Sequence, residues 1–443
     1  MKRRRGQYFT SNAKVQRMML SLLHTGHDGR ILEPSAGRGD LVRALMDAGY
    51  GHVHAVEIDD GIKPIIPADR MTFGSFFEDG TGGYDAVFGN PPYVQLKNVP
   101  AADRTGLDGL LSRYSSKVNL YMLFMDSCMD RLKNGGEMVL IIPKEWMFST
   151  AAAPLRDRMA YLGAITDIVD CTDERVFDDA APTTTMIIRW ERGAKQKGIR
   201  HAGSLSTGLS SSWDEYGLEV FGDRWIIGPE SLVSRLSGFN RLGTWWDAKV
   251  GMVSGMDSVY RVSLSDPDYE ALASSPHVHE YVTTRGVELF LDPYGVESFG
   301  DLSNPERERL LSHEEELRGR SIRRFTDDDW WQWGAVRNHA QMVSSGSGRF
   351  LCYGRTRLNM PFMLPPAGVG RYSGGIMGMY GHADRPQWMT ARAAVEYLNS
   401  GFARRIFAAM GLMTGDRVTF QPATISDIPF PATPAAAAAA LAG

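Results

Sequence analysis

An Asn90-Pro91-Pro92-Tyr93 tetrapeptide leaves an apolar run, Tyr84-Asp85-Ala86-Val87-Phe88-Gly89, and gathers the residue types needed to activate an amino nitrogen. The run reads as a buried strand. Two consecutive prolines after it have no N–H and a fixed φ, so they end ladder pairing and impose an exposed elbow. Such an elbow can offer two acceptors, the Asn90 side-chain oxygen and the Pro91 carbonyl, beside the flat face of Tyr93. An exocyclic –NH2 on a heterocycle has two protons and a lone pair delocalised into the ring. Two acceptors aimed at those protons favour a pyramidal nitrogen, which localises the lone pair for attack on a methyl carbon. An aromatic face would hold the ring by stacking, worth about 1–3 kcal/mol per base. Asn-Pro alone is also a common turn opener, so the elbow gains weight from its company.

That company lies upstream. Arg30-Ile31-Leu32-Glu33 reads as a strand, Pro34 to Asp40 as a glycine-containing turn, and Leu41 to Met46 as the start of a helix. This order brings a ligand close to bare backbone at a helix N-terminus. It is not the dinucleotide fingerprint, which needs glycine where Val42 stands. Glu33 and the polar loop suit a ligand with an amino-acid moiety better than a pyrophosphate. His52 to Glu57 reads as a second strand. Its terminal carboxylate lies 20 residues after Gly37, the spacing of an acid that accepts both hydroxyls of a ribose.

Glu33-Pro34-Ser35-Ala36-Gly37-Arg38-Gly39, Val56-Glu57-Ile58-Asp59 and Asn90-Pro91-Pro92-Tyr93 resemble the cofactor and catalytic motifs of S-adenosylmethionine-dependent DNA adenine-N6 methyltransferases. Gly6-Gln7-Tyr8-Phe9-Thr10 is similar to the leading motif of that family. The resemblance is tight over roughly residues 5–190 and looser beyond. Cofactor motif first, catalytic motif about fifty residues later and a long tail after both is the gamma arrangement, because the gap leaves no room for a recognition domain. The implied architecture is α/β: a doubly wound, mostly parallel sheet of the class I methyltransferase fold, followed by a target-recognition domain of mixed α+β structure.

The resemblance also assigns roles. S-adenosylmethionine would be held by Tyr8, Thr10, Glu33, Ser35, Ala36 and Gly37, and by Gly39, Asp40, Glu57, Ile58, Ser75, Phe76 and Asn90. Asn90, Pro91, Pro92 and Tyr93 would be catalytic, with Phe177 stacking on the base from the side opposite Tyr93. A core phenylalanine at a hairpin is the other reading of Phe177. One position departs from the family, which usually has an acid after its third strand to bind the cofactor's adenine amino group. Here Ser75 stands at that place, so a hydroxyl or nearby backbone must serve, with Phe76 stacking.

Composition sets the frame. At 443 residues with 23% charged side chains, the chain is long enough for two cores and reads as a soluble globular protein. It shows no apolar run of about 18 residues and no signal-peptide core after Lys2-Arg3-Arg4-Arg5. Cys128, Cys171 and Cys352 lack metal or disulfide spacing, as in a reducing cytoplasm. A net charge of −4 counts mildly against nucleic acid, but local distribution sets the binding field. Lys249 is the last lysine; beyond it the cations other than histidine are arginine, whose planar fork pairs bidentately with guanine and phosphate. A GC-rich genome would produce the same bias.

Along the chain, strands are expected at Arg30–Glu33, His52–Glu57, Met71–Gly74, Asp85–Gly89, Gly136–Ile142, Ala164–Asp170 and Thr184–Trp190. Asn119 to Lys133 carries a helical repeat. Residues 1–200 are expected to form the catalytic domain, 201–230 a linker, 231–431 the DNA-recognition domain and 432–443 a disordered tail. Lys249 to Gly255 with Val259 to Val262, and Tyr397 to Ser400 with Ile425 to Pro431, resemble the opening and closing elements of recognition domains in gamma-type modification methylases. Between them, Arg323, Arg324, Arg349, Arg355, Arg357 and Arg371 are interleaved with aromatics and expected to contact DNA. Each tryptophan there is singly better read as core.

The sequence therefore predicts a site-specific adenine-N6 methyltransferase acting on flipped bases in duplex DNA. It is expected to be cytoplasmic and monomeric, without membrane or metal, and to be the modification enzyme beside a cognate restriction endonuclease. Cytosine N4, RNA, a protein glutamine, and membership in a multi-subunit restriction system are the alternatives. Glutamine methylases carry a small helical domain ahead of the cofactor fold and end with that fold. The multi-subunit kind has a long helical segment before its leading motif and usually phenylalanine after the prolines, where Tyr93 stands.

Overall fold

Apolar side chains alternate between two cores along the strand Leu132–Pro143. Met138, Leu140 and Ile142 enter one, Val139 and Ile141 the other. A strand greasy on both faces belongs inside a sheet covered twice. The computed structural model, which describes residues 9–172, 174, 176, 184–344 and 348–442, has that sheet. The chain divides into two compact units, Met1–Leu236 and Ser237–Gly443.

In the first unit ten strands run in the order β10-β9-β8-β6-β7-β5-β4-β1-β2-β3. They are β1 (Ile31–Glu33), β2 (Val53–Glu57), β3 (Met71–Phe73), β4 (Tyr84–Gly89) and β5 (Leu132–Pro143), then β6 (Gly163–Asp170), β7 (Thr185–Arg192), β8 (Ile199–Ala202), β9 (Asp214–Phe221) and β10 (Arg224–Pro229). The strands from β3 through β5 pair in parallel. β7 runs antiparallel to both β5 and β6. Helices α1 (Ala13–Ser21), α2 (Asp40–Asp47), α3 (Asp108–Leu111), α4 (Leu120–Arg131), α5 (Ala153–Leu162) and α6 (Leu205–Leu209) complete the unit with short 3-10 turns and a further one-turn helix at Glu230–Val233. The seven expected strands and the helix at Asn119–Lys133 are all present, with ends shifted by a few residues.

α4 is buried on every side from Leu120 to Met129, including its one carboxylate there. Asp126 is fully buried and compensated by Arg113 at 3.2 Å, Arg158 at 2.7 Å and the Tyr114 hydroxyl at 2.6 Å. Glu137, at the head of the apolar part of β5, does similar work between elements. It accepts from the backbone N–H of His24 (2.7 Å) and Thr25 (2.5 Å), and from Arg189 Nε on β7 (2.5 Å). The turn after α1 is thereby tied to the sheet.

Two expectations are corrected. Residues 201–230 are not a linker, because β8 to β10 extend the sheet and Trp225 packs edge-on against Trp146. The serine-rich stretch that reads as a loop contains a helix cap: Ser204 Oγ accepts from Thr207 N at 3.0 Å and starts α6. The tail from 432 onward is also not structureless. Pro434–Leu441 is a helix capped by Thr433, as a run of the strongest helix former allows.

The second unit holds smaller sheets. One has the order β12 (Trp246–Val250), β20 (Ile376–Gly381), β16 (Arg349–Tyr353), β18 (Phe362–Met363); another has β13 (Arg261–Val262), β15 (Gly286–Leu291), β14 (Val278–Thr283), β19 (Arg371–Tyr372). A three-stranded sheet is formed by β17 (Arg355–Thr356), β22 (Arg417–Thr419) and β21 (Met413–Thr414), and β11 (Phe239–Arg241) pairs with β23 (Pro429–Pro431). Trp330, Trp331 and Trp333 are core residues of this unit, as expected of each singly.

Removing Glu137 takes the Nε partner from Arg189, which is 7% exposed and keeps Glu191 at 3.2 Å, and leaves two backbone donors unpaired. Breaking a buried pair from one side costs about 3–5 kcal/mol. With Glu191 and Asp167 still beside Arg189, Glu137→Ala should lose stability towards the lower end of that range, read from the midpoint of urea unfolding at unchanged slope.

Candidate active site

The carboxyl ends of the first parallel strands converge on one cleft. β1 ends in Glu33 and β2 in Glu57, both buried, at 1% and 4% exposure. Glu57 Oε2 accepts from Gly37 N at 2.7 Å and Oε1 from Asp59 N at 2.9 Å, so one carboxylate shapes the loops after both strands. Gly37 has φ +55°, and a Cβ there would lie 2.9 Å from the Phe9 ring. A side chain would fill this cradle and strain the backbone. Gly89, the last residue of β4, is needed for closeness, since a Cβ there would meet Glu33 Oε1 at 2.7 Å.

The elbow follows. Ser35 Oγ donates to the Asn90 carbonyl at 3.1 Å, and Asn90 Nδ2 donates to Thr10 Oγ1 at 3.0 Å. With Nδ2 so engaged, Oδ1 is the acceptor end of the amide. Pro91 is buried and Pro92 half-buried. The Tyr93 hydroxyl donates to the Ile141 carbonyl at 2.8 Å, which fixes its ring against β5.

The empty space of the cleft is about 770 Å³, the open solvent at its mouth included. Ser35, Gly37, Glu57, Ile58, Ser75, Phe76 and Asn90 line it, as expected of cofactor residues. Thr10 is 3% exposed and positions Asn90. Ala36, Gly39 and Asp40 are not among its lining residues: the Ala36 N–H is bonded to Val56 O at 2.9 Å and Asp40 pairs with Arg38 at 3.1 Å. Glu33 lies behind the wall, with Oε1 accepting from Ser35 N at 3.1 Å. The Ser75 hydroxyl donates to Thr105 O at 3.3 Å, pinning the segment that carries Asp103 to the cleft. Sequence reading missed Phe9, Phe77, Asp103 and Phe124 in the lining. The doublet Phe76-Phe77 was the available signal; Phe124 lies hidden in an apolar helix. Tyr8 and Phe177 fall outside the described residues.

Burial pushes the Glu33 carboxyl up to about 8, and the neighbouring Glu57 charge pushes the same way. Glu57 is raised too, by burial first. Two acids buried at one cleft, both raised, are groups whose ionised forms a cationic ligand would favour. S-adenosylmethionine fits this donor set: Glu57 can accept two ribose hydroxyls, Phe76 and its neighbours offer a flat apolar wall, and Glu33 favours positive charge nearby.

In the second unit the expected arginines divide. Arg349 is 4% exposed and donates to Met342 O (2.9 Å), Tyr380 OH (3.1 Å) and Gly370 O (2.5 Å), which corrects its placement as a DNA contact. Arg371 is mostly buried near Asp292 at 3.7 Å, and Arg323 donates to Asp329 at 2.5 Å. Arg324, Arg355 and Arg357 are exposed, the last 3.6 Å from Asp416.

A sheet ordered β3-β2-β1-β4-β5-β7-β6, with β7 reversed and a ligand cleft at the carboxyl ends of β1 and β2, is the class I S-adenosylmethionine-dependent methyltransferase fold. Residues 54–177 match the family described as Eco57I restriction-modification methylase. Type II methyltransferase M.HindII of Haemophilus influenzae is 26% identical over 301 residues, 60% of this chain and 57% of that protein. M.PaeR7I of Pseudomonas aeruginosa is 31% identical over 228 residues, covering 40% and 38% of the two chains. Among solved structures, the type IIL restriction-modification enzyme MmeI in complex with DNA shares the fold at a TM-score of 0.55 and 10% identity, over 95% of this chain and 64% of that one. The chain is thus similar over residues 54–177 to the Eco57I restriction-modification methylase family and, over part of its length, to type II methyltransferases. It spans about half the length of the curated relatives it matches.

The raised Glu33 has a pH signature. The unfolded chain releases this proton near 4.5 and the fold holds it to about 8, so the contribution to stability is full below 4.5 and lost as pH rises towards 8. Glu33→Gln should gain stability relative to the parent across pH 5 to 8, measured by denaturation at several pH values. A constant difference would show that Glu33 is ionised in the free protein.

Proposed function

We propose that this protein is a site-specific DNA methyltransferase that moves a methyl group from S-adenosylmethionine to adenine N6 in duplex DNA, after the base is flipped out. The observation carrying the reading is the Asn90–Tyr93 elbow, which puts Asn90 on the wall of the cofactor cleft and fixes Tyr93 beside β5. The type II methyltransferase relatives support it. The modification role in a restriction-modification system, cognate endonuclease included, belongs to the same reading, as do a cytoplasmic place and a monomeric state. Among the described residues no helix is long and apolar enough to cross a membrane.

Bound S-adenosylmethionine supplies an electrophilic methyl on a sulfonium. The chain's own residues do the rest. Glu57 holds the ribose, and the Ser35–Gly37 loop, backed by Glu33, takes the amino-acid end. Asn90 Oδ1 and the Pro91 carbonyl accept the two amino protons and bring the nitrogen lone pair into line. Tyr93 stacks on the base, and Phe177 is assigned the opposite face. Positioning and preorganised acceptors carry the rate, and the extra proton leaves after attack, so no strong base is assigned. The second unit is assigned choice of sequence, with Arg324, Arg355 and Arg357 as the exposed candidates for DNA contact.

Two outcomes are expected. Nucleoside mass spectrometry of DNA from expressing cells should show N6-methyladenine; N4-methylcytosine alone would sink the adenine assignment. In calorimetry, Glu57→Ala should weaken cofactor binding about tenfold or more. Asn90→Ala should bind cofactor nearly as well while turnover collapses. The reverse pattern would invert the two roles.

A further inference from the structure

The strand order fixes which part of the cofactor meets which loop. Asn90 follows β4, β1 lies beside β4, β2 with Glu57 comes next, and β3 is outermost. Neighbouring strands stand about 4.8 Å apart. A cofactor whose methyl faces Asn90 and whose ribose meets Glu57 must therefore lay its adenine over the exit of β3. Phe76 and Phe77 follow that exit and line the cleft together with Pro100 and Phe124, an apolar wall suited to a flat ring. The amino group of an enclosed adenine also needs an acceptor there.

Ser75 is engaged by the fold, since its hydroxyl donates to Thr105 O at 3.3 Å. That bond is one of several that dock the segment after the elbow onto the exit of β3. Thr105 Oγ1 donates to Glu78 Oε2 at 3.1 Å, and Leu107 is fully buried. Gly106 has φ +77°, and a Cβ there would lie 2.8 Å from the Phe77 carbonyl carbon, so the two backbones are in contact. The turn Ala101–Arg104 is closed by Asp103 N donating to Pro100 O at 3.0 Å and Arg104 Nε donating to Val99 O at 2.9 Å. These attachments hold the half-buried Asp103 on the cleft wall beside Ser75, Phe76 and Phe77. Glu57 and Asp103 are the acids that line the cleft, and Glu57 is committed to the ribose and to the N–H groups of Gly37 and Asp59.

We propose that Asp103 accepts the amino protons of the cofactor's adenine, the contact that the sequence leaves to a hydroxyl or backbone at Ser75. The proposal rests on S-adenosylmethionine as the ligand of the cleft, and it holds whichever DNA base is methylated. An ionised carboxylate is acceptor-only, the match for an amino group with two protons to give. The acid comes from the segment that follows the elbow rather than from β3. Cofactor recognition and the elbow therefore share one stretch of chain, Asn90 to Leu107.

The test is calorimetry on the full chain with S-adenosylhomocysteine and its 6-deamino analogue, in which hydrogen replaces the adenine amino group. The parent should bind the amino form about tenfold or more tightly than the analogue, as one charge-assisted hydrogen bond implies. Asp103→Ala should bring the two affinities together, and Ser75→Ala should keep them apart. Asp103→Asn, of the same size with a neutral acceptor, should fall between parent and Asp103→Ala. The ratio isolates the amino group, because a merely structural role for the turn would weaken both ligands alike. An undiminished preference in Asp103→Ala, or equal loss of both ligands, would refute the proposal and leave the cofactor assignment standing. A parent that binds neither ligand would overturn the cofactor reading, and this proposal with it.

Discussion

Two prolines at the end of β4 constrain the whole reaction rim. Neither Pro91 nor Pro92 can donate to a ladder, so the strand must leave the sheet where its neighbours β1 and β5 still hold it. The departing segment is then anchored three times. Ser35 takes the Asn90 carbonyl, Thr10 takes its amide, and Ile141 takes the Tyr93 hydroxyl. The elbow therefore has little freedom once the sheet is formed. Its acceptors are positioned by covalent stiffness and three hydrogen bonds of ordinary length rather than by a flexible loop, and this is what preorganisation requires.

The same rim buries two acids side by side. Glu33 and Glu57 are both buried, and burial raises both. Backbone N–H groups from Ser35, Gly37 and Asp59 offset only part of that cost. A ligand with positive charge would relieve the remainder, so affinity and local stability are coupled at these carboxylates. The arrangement is strained in the free protein in an electrostatic sense while its backbone stays ordinary, apart from left-handed glycines such as Gly37 and Gly39.

Much of this was legible because the signals were local. β1, β2 and β4 end in residues that identify themselves by type: acids before a glycine turn, and prolines after an apolar run. β8 to β10 were not legible. Ser204, the cap of the helix α6 between β8 and β9, belongs to the residue class that also builds loops, and the strand pairing with the packing of Trp225 on Trp146 shows which it is. Arg349 shows the same limit. An arginine among aromatics reads as a DNA contact, yet here three internal acceptors have captured it.

The reversed strand β7 has a consequence of its own. In a purely parallel sheet only carboxyl ends face the ligand side, so each strand contributes one loop there and the returning connections lie on the far edge. β7 is antiparallel, and the pairing of Pro143 with Thr185 sets its beginning beside the end of β5. The chain arriving at Thr184 therefore comes to the substrate side of the sheet as well. One inverted strand thus gives the fold an extra site of variation near Tyr93 that is separate from the cofactor loops. The residues that lead into β7 and those that carry Glu33, Gly37 and Glu57 are therefore separate pieces of chain that meet on one side of the sheet, a consequence of the strand directions themselves.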